Sequence, residues 1–430
     1  MLTLNYFSEL KDKTIEGLKK RNWGEDKLNW VSEVSILNIV RKDLQTNLDN
    51  FKNEINSLTN TIGPLMKSKS EADFLLASSL RAKVTALKSD IAILEERAKS
   101  NNEKLQDLLY KIPNIPHESV PMGKSAEDNE VYKAWNHPLP DLFPGALPHW
   151  ELAEKHTLFD LKLGVKITGA GFPLYRGQGA KLQRALIQFF LDEATKAGYE
   201  EIIPPLLVNA DTATATGQLP DKDGQMYYCD KDQLYLIPTA EVPVTNILRD
   251  EILEEKQLPV RFCGYTPCFR REAGSYGADV KGLNRVHQFD KVEIVRVEHP
   301  DKSYEALHGM LEHVAGLLDK LELPYRILRL CGGDMGFTSA LTYDFEIYSA
   351  AQKKWLEVSS VSNFETFQAN RLKLRFRNSE GKTQLAHTLN GSALALARIV
   401  AGLLENHQLE SGGIRIPAAL IPYTGFSHIL

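Results

Sequence analysis

The sequence predicts an α+β protein: an antiparallel β-sheet core flanked by helices, preceded by an N-terminal antiparallel α-helical coiled-coil arm. Three observations carry this. Apolar residues recur three then four apart between residues 28 and 110, prolines crowd the chain from 112 to 148, and beyond 150 the strand-like runs mostly follow one another without helical patterns between them. A doubly wound sheet would instead alternate strands with helices.

The arm comes first. Leu37, Val40, Leu44, Leu48, Phe51, Ile55, Leu58 and Ile62 trace an a/d seam, which Leu80, Val84, Leu87, Ile91, Leu94, Ala98, Leu105, Leu108 and Ile112 resume. Between them lies "GPLMKSKSEAD", where Gly63 and Pro64 are expected to stop the first helix and Ser70 to cap the second, with Asp73 near its start. Each helix would reach roughly 55 to 60 Å at 1.5 Å per residue. Arg41, Lys42, Lys52, Lys67, Lys69, Arg81, Lys83 and Lys88 are scattered on the outside among acids, the mix any solvated coiled coil shows. Periodicity therefore leaves a dimerisation arm or a spacer open.

Residues 112–150 form a Pro-rich linker, fixed in backbone and short of donors. In residues 151–430, "AKLQRALIQFFLDEATKAG", "YEALHGMLEHVAGLLDKLEL" and "GSALALARIVAGLLENHQ" read as helices. "YEEIIPPLLVN", "DQLYLIPTAEVPVTN", "PVRFCGYTPCFRRE", "FDKVEIVRVE", "ALTYDFEIYSA" and "KWLEVSSVSNF" read as strands.

With 430 residues, 43% hydrophobic and 25% charged, the chain has the balance of an ordinary globular protein. No run of roughly 18 apolar residues and no signal-peptide pattern is present, so a cytoplasmic protein without a membrane anchor is expected. The four cysteines form no CxxC and read as reduced thiols. A net charge of −5 leaves any nucleic-acid contact to a local basic surface.

No Walker P-loop occurs, and no GxGxxG follows a strand. What the last 280 residues offer are arginines at strand ends: Arg270 and Arg271 beside Glu272, and Arg398 opening a helix. Guanidinium grips phosphate or carboxylate through two parallel hydrogen bonds, although a surface ion-pair network would place the same residues.

Beside this bottom-up reading stands a resemblance. "CFRREAG" resembles motif 2 of the class II aminoacyl-tRNA synthetases, "AGYEEIIPPLLVN" motif 1 with Pro205, and "LNGSALALAR" motif 3 with Arg398. "LIPTAEVP", "FRREAGSYG", "HQFDKVE", "EVSSVSN" and "HTLNGS", in that order, are similar to the seryl-tRNA synthetases of bacterial type, whose N-terminal coiled-coil arm matches as well. The resemblance spans essentially the whole chain and implies a class II antiparallel sheet core.

It also implies the reaction: serine is activated by ATP with release of pyrophosphate, then passed to the 3′ end of tRNA(Ser), with tRNA(Sec) as a further candidate acceptor. Arg270 would bridge the serine carboxylate and the α-phosphate, and Glu272 would face the adenine edge. Phe289 and Arg398 would enclose the ring, with Arg271, Val286, Val358 and Ser359 completing the ATP site. Phe289 also fits as a core aromatic on an alternating strand. Glu357 and Ser360 would hold Mg²⁺. The serine pocket would comprise Thr239, Ala240, Glu241, Glu293 and Ser392, with Thr388 and Asn390 nearby; Glu241 would meet the α-ammonium and Glu293 the hydroxyl. Lys281, Arg285 and His287, in the loop after motif 2, would meet the tRNA acceptor end.

The family's arm reads the tRNA, usually across a homodimer built around motif 1. One departure stands out: positions 393, 395 and 397 are alanines where motif 3 is often glycine-rich, and a helix is still expected there. Two other readings compete: a synthetase-like enzyme that loads a carrier protein, and a catalytically dead paralogue acting as a regulator. Relatives of the first kind lack the arm, and Arg270, Glu272, Glu357 and Arg398 argue against the second.

Overall fold

A computed structural model of the chain describes residues 1–68, 70–221, 224–272 and 281–430. Lys69 and residues 273–280 of the motif 2 loop, both singled out above, lie outside the described residues. The chain divides into two compact units. One comprises Leu2–Lys19 and Trp23–Pro113, the other Met1, Lys20–Asn22 and Asn114–Leu430.

The first unit is a hairpin of α1 (Glu25–Lys67) and α2 (Glu71–Lys111). α1 buries Val31, Val34, Asn38, Leu44 and Leu48; α2 buries Ala77, Leu87, Asn101, Leu105 and Leu108. Ser70 caps α2, its side chain accepting from Asp73 N at 3.5 Å. Two expectations change. Pro64 does not stop α1, because so near the C-terminus it forfeits a single main-chain bond; the helix runs on to Lys67 and closes with Ser68 N donating to Leu65 O. Val40 is off the seam and 38% exposed, since the seam steps through Val34, Asn38, Arg41 and Leu44. Arg41 Nη2 donates to Asn38 Oδ1 at 3.1 Å and Asn101 Nδ2 to Leu37 O at 3.0 Å, so a polar layer sets the register of the hairpin at that level.

The second unit is built on an eight-stranded sheet. Its strands are β1 (Glu130–Lys133), β2 (Glu200–Glu201), β3 (Val260–Phe269), β4 (Gln288–Glu298), β5 (Tyr325–Arg329), β6 (Leu341–Ser349), β7 (Lys354–Asn363) and β8 (His387–Ala395). They lie in the order β1-β5-β6-β7-β8-β4-β3-β2, and only the β2–β3 pair is parallel. β1 comes from the Pro-rich segment, which thereby supplies an edge strand.

The helices of this unit include α3 (His149–His156), α4 (Gly177–Lys196), α5 (Glu241–Thr245), α6 (Ser303–Lys320), α7 (Thr366–Leu372) and α8 (Leu396–Asn406). Strand alternation sorts the two faces of the sheet. Val292 and Ile294 of β4, Tyr343 and Phe345 of β6, and Leu389 of β8 share one core with Leu186 and Phe190 of α4, Leu307 and Met310 of α6 and Leu404 of α8. The residues between them point to the other face.

Three predicted elements differ. In "YEEIIPPLLVN" only Glu200–Glu201 and Leu207–Val208 are strand, because Pro204 and Pro205 between them have no N–H to give a ladder. In "DQLYLIPTAEVPVTN" only Leu234–Leu236 is strand, and Glu241–Thr245 is helix α5. Val242 and Val244 are buried, and a short run buried all round has no period to read; Pro243 sits in the first helical turn, where no intrahelical donor is needed. In motif 3 the strand continues through Ala395, so Ala393 and Ala395 are strand residues and the helix begins at Leu396. Alanine satisfies either state, and pairing of β8 with β4 and β7 decides.

Candidate active site

On the face opposite the helical core, the ends of β3, β4, β6, β7 and β8 surround a cavity of about 550 Å³. Arg270 follows β3 directly. Its N–H donates to His287 O at 2.9 Å, extending the β3–β4 ladder, and its guanidinium lies 5.2 Å from the Phe289 ring centroid. Register brings the neighbouring functional strands together: Glu293 of β4 sits opposite Ser392 of β8, and Asn390 of β8 opposite Ser362 of β7.

One end of the cavity is rich in carboxylate. Gln368 Nε2 of α7 donates to Glu241 Oε1 at 2.7 Å, and Asn390 Nδ2 donates both to Glu241 Oε2 at 2.8 Å and to Glu293 Oε1 at 3.1 Å. Glu293 Oε2 accepts from Thr239 Oγ1 at 3.2 Å and faces Lys291 Nζ at 2.6 Å. Burial, and then the charge of Glu293, push the Glu241 carboxyl up to about 7 against the opposing bond from Gln368. A cation brought beside Glu241 would offset both effects.

The other end depends on a β-bulge. Phe345 pairs with Ser359 and Glu346 with Glu357, so Val358 is the extra residue in β7. Glu357 and Ser360 are three apart and would face opposite sides of an unbroken strand; the bulge turns both to the cavity wall. Arg398 Nη1 donates to Glu357 O at 2.7 Å and its Nε to Asn284 O at 2.8 Å. Across from Ser360 stands Asp344, whose buried Oδ1 has no hydrogen-bond partner among the described residues. Burial, and then Glu357, hold its carboxyl well above the ordinary range. Glu357, Ser360 and Asp344 are oxygen donors of the kind a hard cation takes, so this wall fits Mg²⁺.

Of the residues singled out from sequence, Thr239, Glu241, Arg270, Glu272, Arg285, Val286, Phe289, Glu357, Val358, Ser359, Ser360, Asn390, Ser392 and Arg398 line the cavity. Ala240 is fully buried behind the wall, Thr388 bonds Gln368 there, and Arg271 turns away to lie 5.6 Å from the Tyr227 ring centroid. Glu293, only 1% exposed, sits beneath Thr239, Asn390 and Lys291 and not at the surface of the wall. Arg285 pairs with Glu272 at 3.2 Å, Lys281 covers the Trp150 ring at 4.5 Å, and His287 stacks on Phe172.

Lys291 and Asp344 are wall residues that sequence reasoning missed. Each is a charged residue two places from one that was singled out, or beside it across the sheet, on a strand already recognised as alternating; period two carried to its end points to both. Cys263 and Cys268 are buried and free in β3, and burial pushes the Cys263 thiol up to about 12, so it stays protonated.

Comparison with known proteins agrees with this geometry. Residues 227–407 match the family model of the tRNA synthetase class II core domain (G, H, P, S and T), and residues 1–116 match that of the seryl-tRNA synthetase N-terminal domain. The chain is 50% identical to the serine–tRNA ligase of Salinibacter ruber over 417 residues, 96% of each chain. It is 43% identical to that of Prosthecochloris aestuarii, covering 100% of this chain and 99% of the relative. Among solved structures, the seryl-tRNA synthetase of Pyrococcus horikoshii complexed with ATP superposes with a TM-score of 0.92 at 33% identity, over 100% of this chain and 99% of that one.

Proposed function

The chain belongs to the seryl-tRNA synthetase family of class II synthetases, and from that premise we propose that it activates L-serine with ATP and transfers the seryl group to the 3′ end of tRNA(Ser). One observation carries the reading: a buried carboxylate, Glu241, and two guanidinium groups, Arg270 and Arg398, converge on one cavity.

The chemistry brings together two anions, the serine carboxylate and the ATP α-phosphate. Positioning and charge neutralisation therefore supply most of the acceleration. Glu241 takes the α-ammonium. Arg270 holds the carboxylate against the phosphorus it attacks and stabilises the charge that develops as pyrophosphate leaves. Thr239, Asn390 and Ser392 meet the hydroxyl, and Glu293 orders the first two from below. Alanine would leave these buried groups unpaired and is rejected energetically, whereas threonine must be excluded by shape.

Phe289 and Arg398 enclose the adenine, with Glu272 at its edge and Val286, Val358 and Ser359 completing the wall. Glu357 and Ser360 would hold Mg²⁺, with Asp344 behind them, and the ion when bound neutralises phosphate charge. Residues 1–111 form the arm that grips the tRNA backbone and shape, 112–150 the linker and 151–430 the catalytic domain. Lys281, Arg285 and His287 meet the acceptor end by exchanging their present partners for phosphate. We place the enzyme in the cytoplasm as a homodimer. Among the described residues no helix is long and apolar enough to cross a membrane.

The test is ATP–pyrophosphate exchange with each of the twenty amino acids, followed by charging of total tRNA. Exchange driven by serine and charging of tRNA(Ser) are expected. Exchange without charging of any tRNA would point to a carrier-protein ligase, and no exchange with any amino acid would overturn the reading.

A further inference from the structure

Outside the cavity, a buried polar network that the chemistry above does not use joins α3 to α8. His149 of α3 and Glu405 of α8 have fully buried side chains, with His149 Nδ1 2.6 Å from Glu405 Oε1. The other ring nitrogen, Nε2, accepts from the main-chain N–H of Leu283 at 2.8 Å. An acceptor at Nε2 requires the proton on Nδ1, so the imidazole is neutral and donates to the carboxylate. Glu405 also accepts from His149 N at 3.0 Å, from Gln352 Nε2 at 3.0 Å and from Ser349 Oγ.

The network ends at the site. Asn284 Nδ2 donates to Gln352 Oε1 at 2.8 Å, and the Asn284 carbonyl accepts from Arg398 Nε at 2.8 Å. Leu283, Asn284, Arg285 and Val286 all line the cavity. Close approach is built in: Gly282 has φ +68°, and a Cβ on it would lie 2.2 Å from His149 Nε2. The polar pair adds direction, because a ring held by Glu405 accepts from Leu283 along one line only.

We propose that the buried His149–Glu405 pair is a positioning device for the nucleotide side of the site, fixing Leu283 and Asn284 and, through the Asn284 carbonyl, the guanidinium of Arg398. The proposal rests on the reading of the cavity as an ATP site. Neither residue touches substrate; both act through the wall they hold.

The test separates the two ring nitrogens. In His149→Asn the amide occupies the Nδ1 position and keeps Glu405 paired but leaves Leu283 N–H without its acceptor; His149→Gln carries an amide oxygen out to the Nε2 position. Exchange kinetics with ATP and serine varied separately, and ATP binding by calorimetry without amino acid, are measured on the full-length protein. His149→Asn should raise both KM and Kd for ATP about ten-fold, the effect of one lost hydrogen bond, leave KM for serine within about two-fold, and be largely rescued in His149→Gln. Equal behaviour of the two variants, parallel shifts for ATP and serine, or unchanged ATP binding would overturn it. If His149→Asn fails to fold, Asn284→Ala, which cuts the link to Gln352 and leaves the buried pair intact, must weaken ATP binding by about three-fold, and an unchanged Kd refutes the device. Calorimetry keeps the two ideas apart: wild-type protein that binds ATP but shows no serine-dependent exchange sinks the proposed function, while the variants still judge the anchor.

Discussion

The raised Glu241 carboxyl makes a quantitative prediction about serine capture. Free enzyme holds this group at about 7, because burial and the neighbouring Glu293 both disfavour its charge. Below that pH the acid is neutral and has no attraction for the serine ammonium; above it the carboxylate is present. An acid of pKa 7 is about 9% ionised at pH 6 and about 91% at pH 8, so kcat/KM for serine should rise about ten-fold across that interval. A carboxyl at the ordinary value of 4.5 would change by only about 3% over the same range. Once serine is bound its ammonium favours the carboxylate, so kcat should vary much less with pH. The assay is serine-dependent pyrophosphate exchange between pH 5.5 and 8.5, at saturating ATP, for wild type and Glu241→Gln. The variant should be slow and lack the inflection. A change in wild-type kcat/KM of less than about two-fold between pH 6 and 8, or an inflection that survives in Glu241→Gln, would refute the assignment.

Two further outcomes follow from the proposed roles. Arg270→Ala should lower kcat/KM for exchange by about 10² to 10³, the cost of one preorganised charge stabiliser, with the melting temperature unchanged because the guanidinium faces the cavity; a loss below about ten-fold removes Arg270 from the chemistry. Deletion of residues 30–108 should spare serine-dependent exchange and abolish tRNA charging, and full charging by the truncated protein would reduce the arm to a spacer.

How far sequence reaches is visible element by element. The hairpin's seam was legible from Leu44 to Leu58 and from Leu80 to Leu108, because a repeat of three and four has one structural meaning over such a length. β3, β4, β6 and β7 were legible because alternation over nine or more residues has no helical counterpart. Illegible were the places where one local pattern fits two states: Pro64 near a helix end, the all-buried α5, and the alanines at the β8–α8 junction.

The site divides along the same line. By itself the sequence determined which chemical groups the protein brings, since the resemblance to seryl-tRNA synthetases rests on identities at Arg270, Glu272, Glu357 and Arg398 that no packing argument alters. Only the tertiary structure decided how deep they lie and whom they face. The bulge at Val358 turns Glu357 to the same wall as Ser360, the β4–β8 pairing sinks Glu293 beneath Thr239 and Asn390, and the meeting of α3 with α8 sets His149 behind Leu283 and Asn284. Depth and facing follow from pairings between separate elements, from Phe345 with Ser359 at the bulge to His149 with Glu405 behind the wall, and local periodicity carries no record of them.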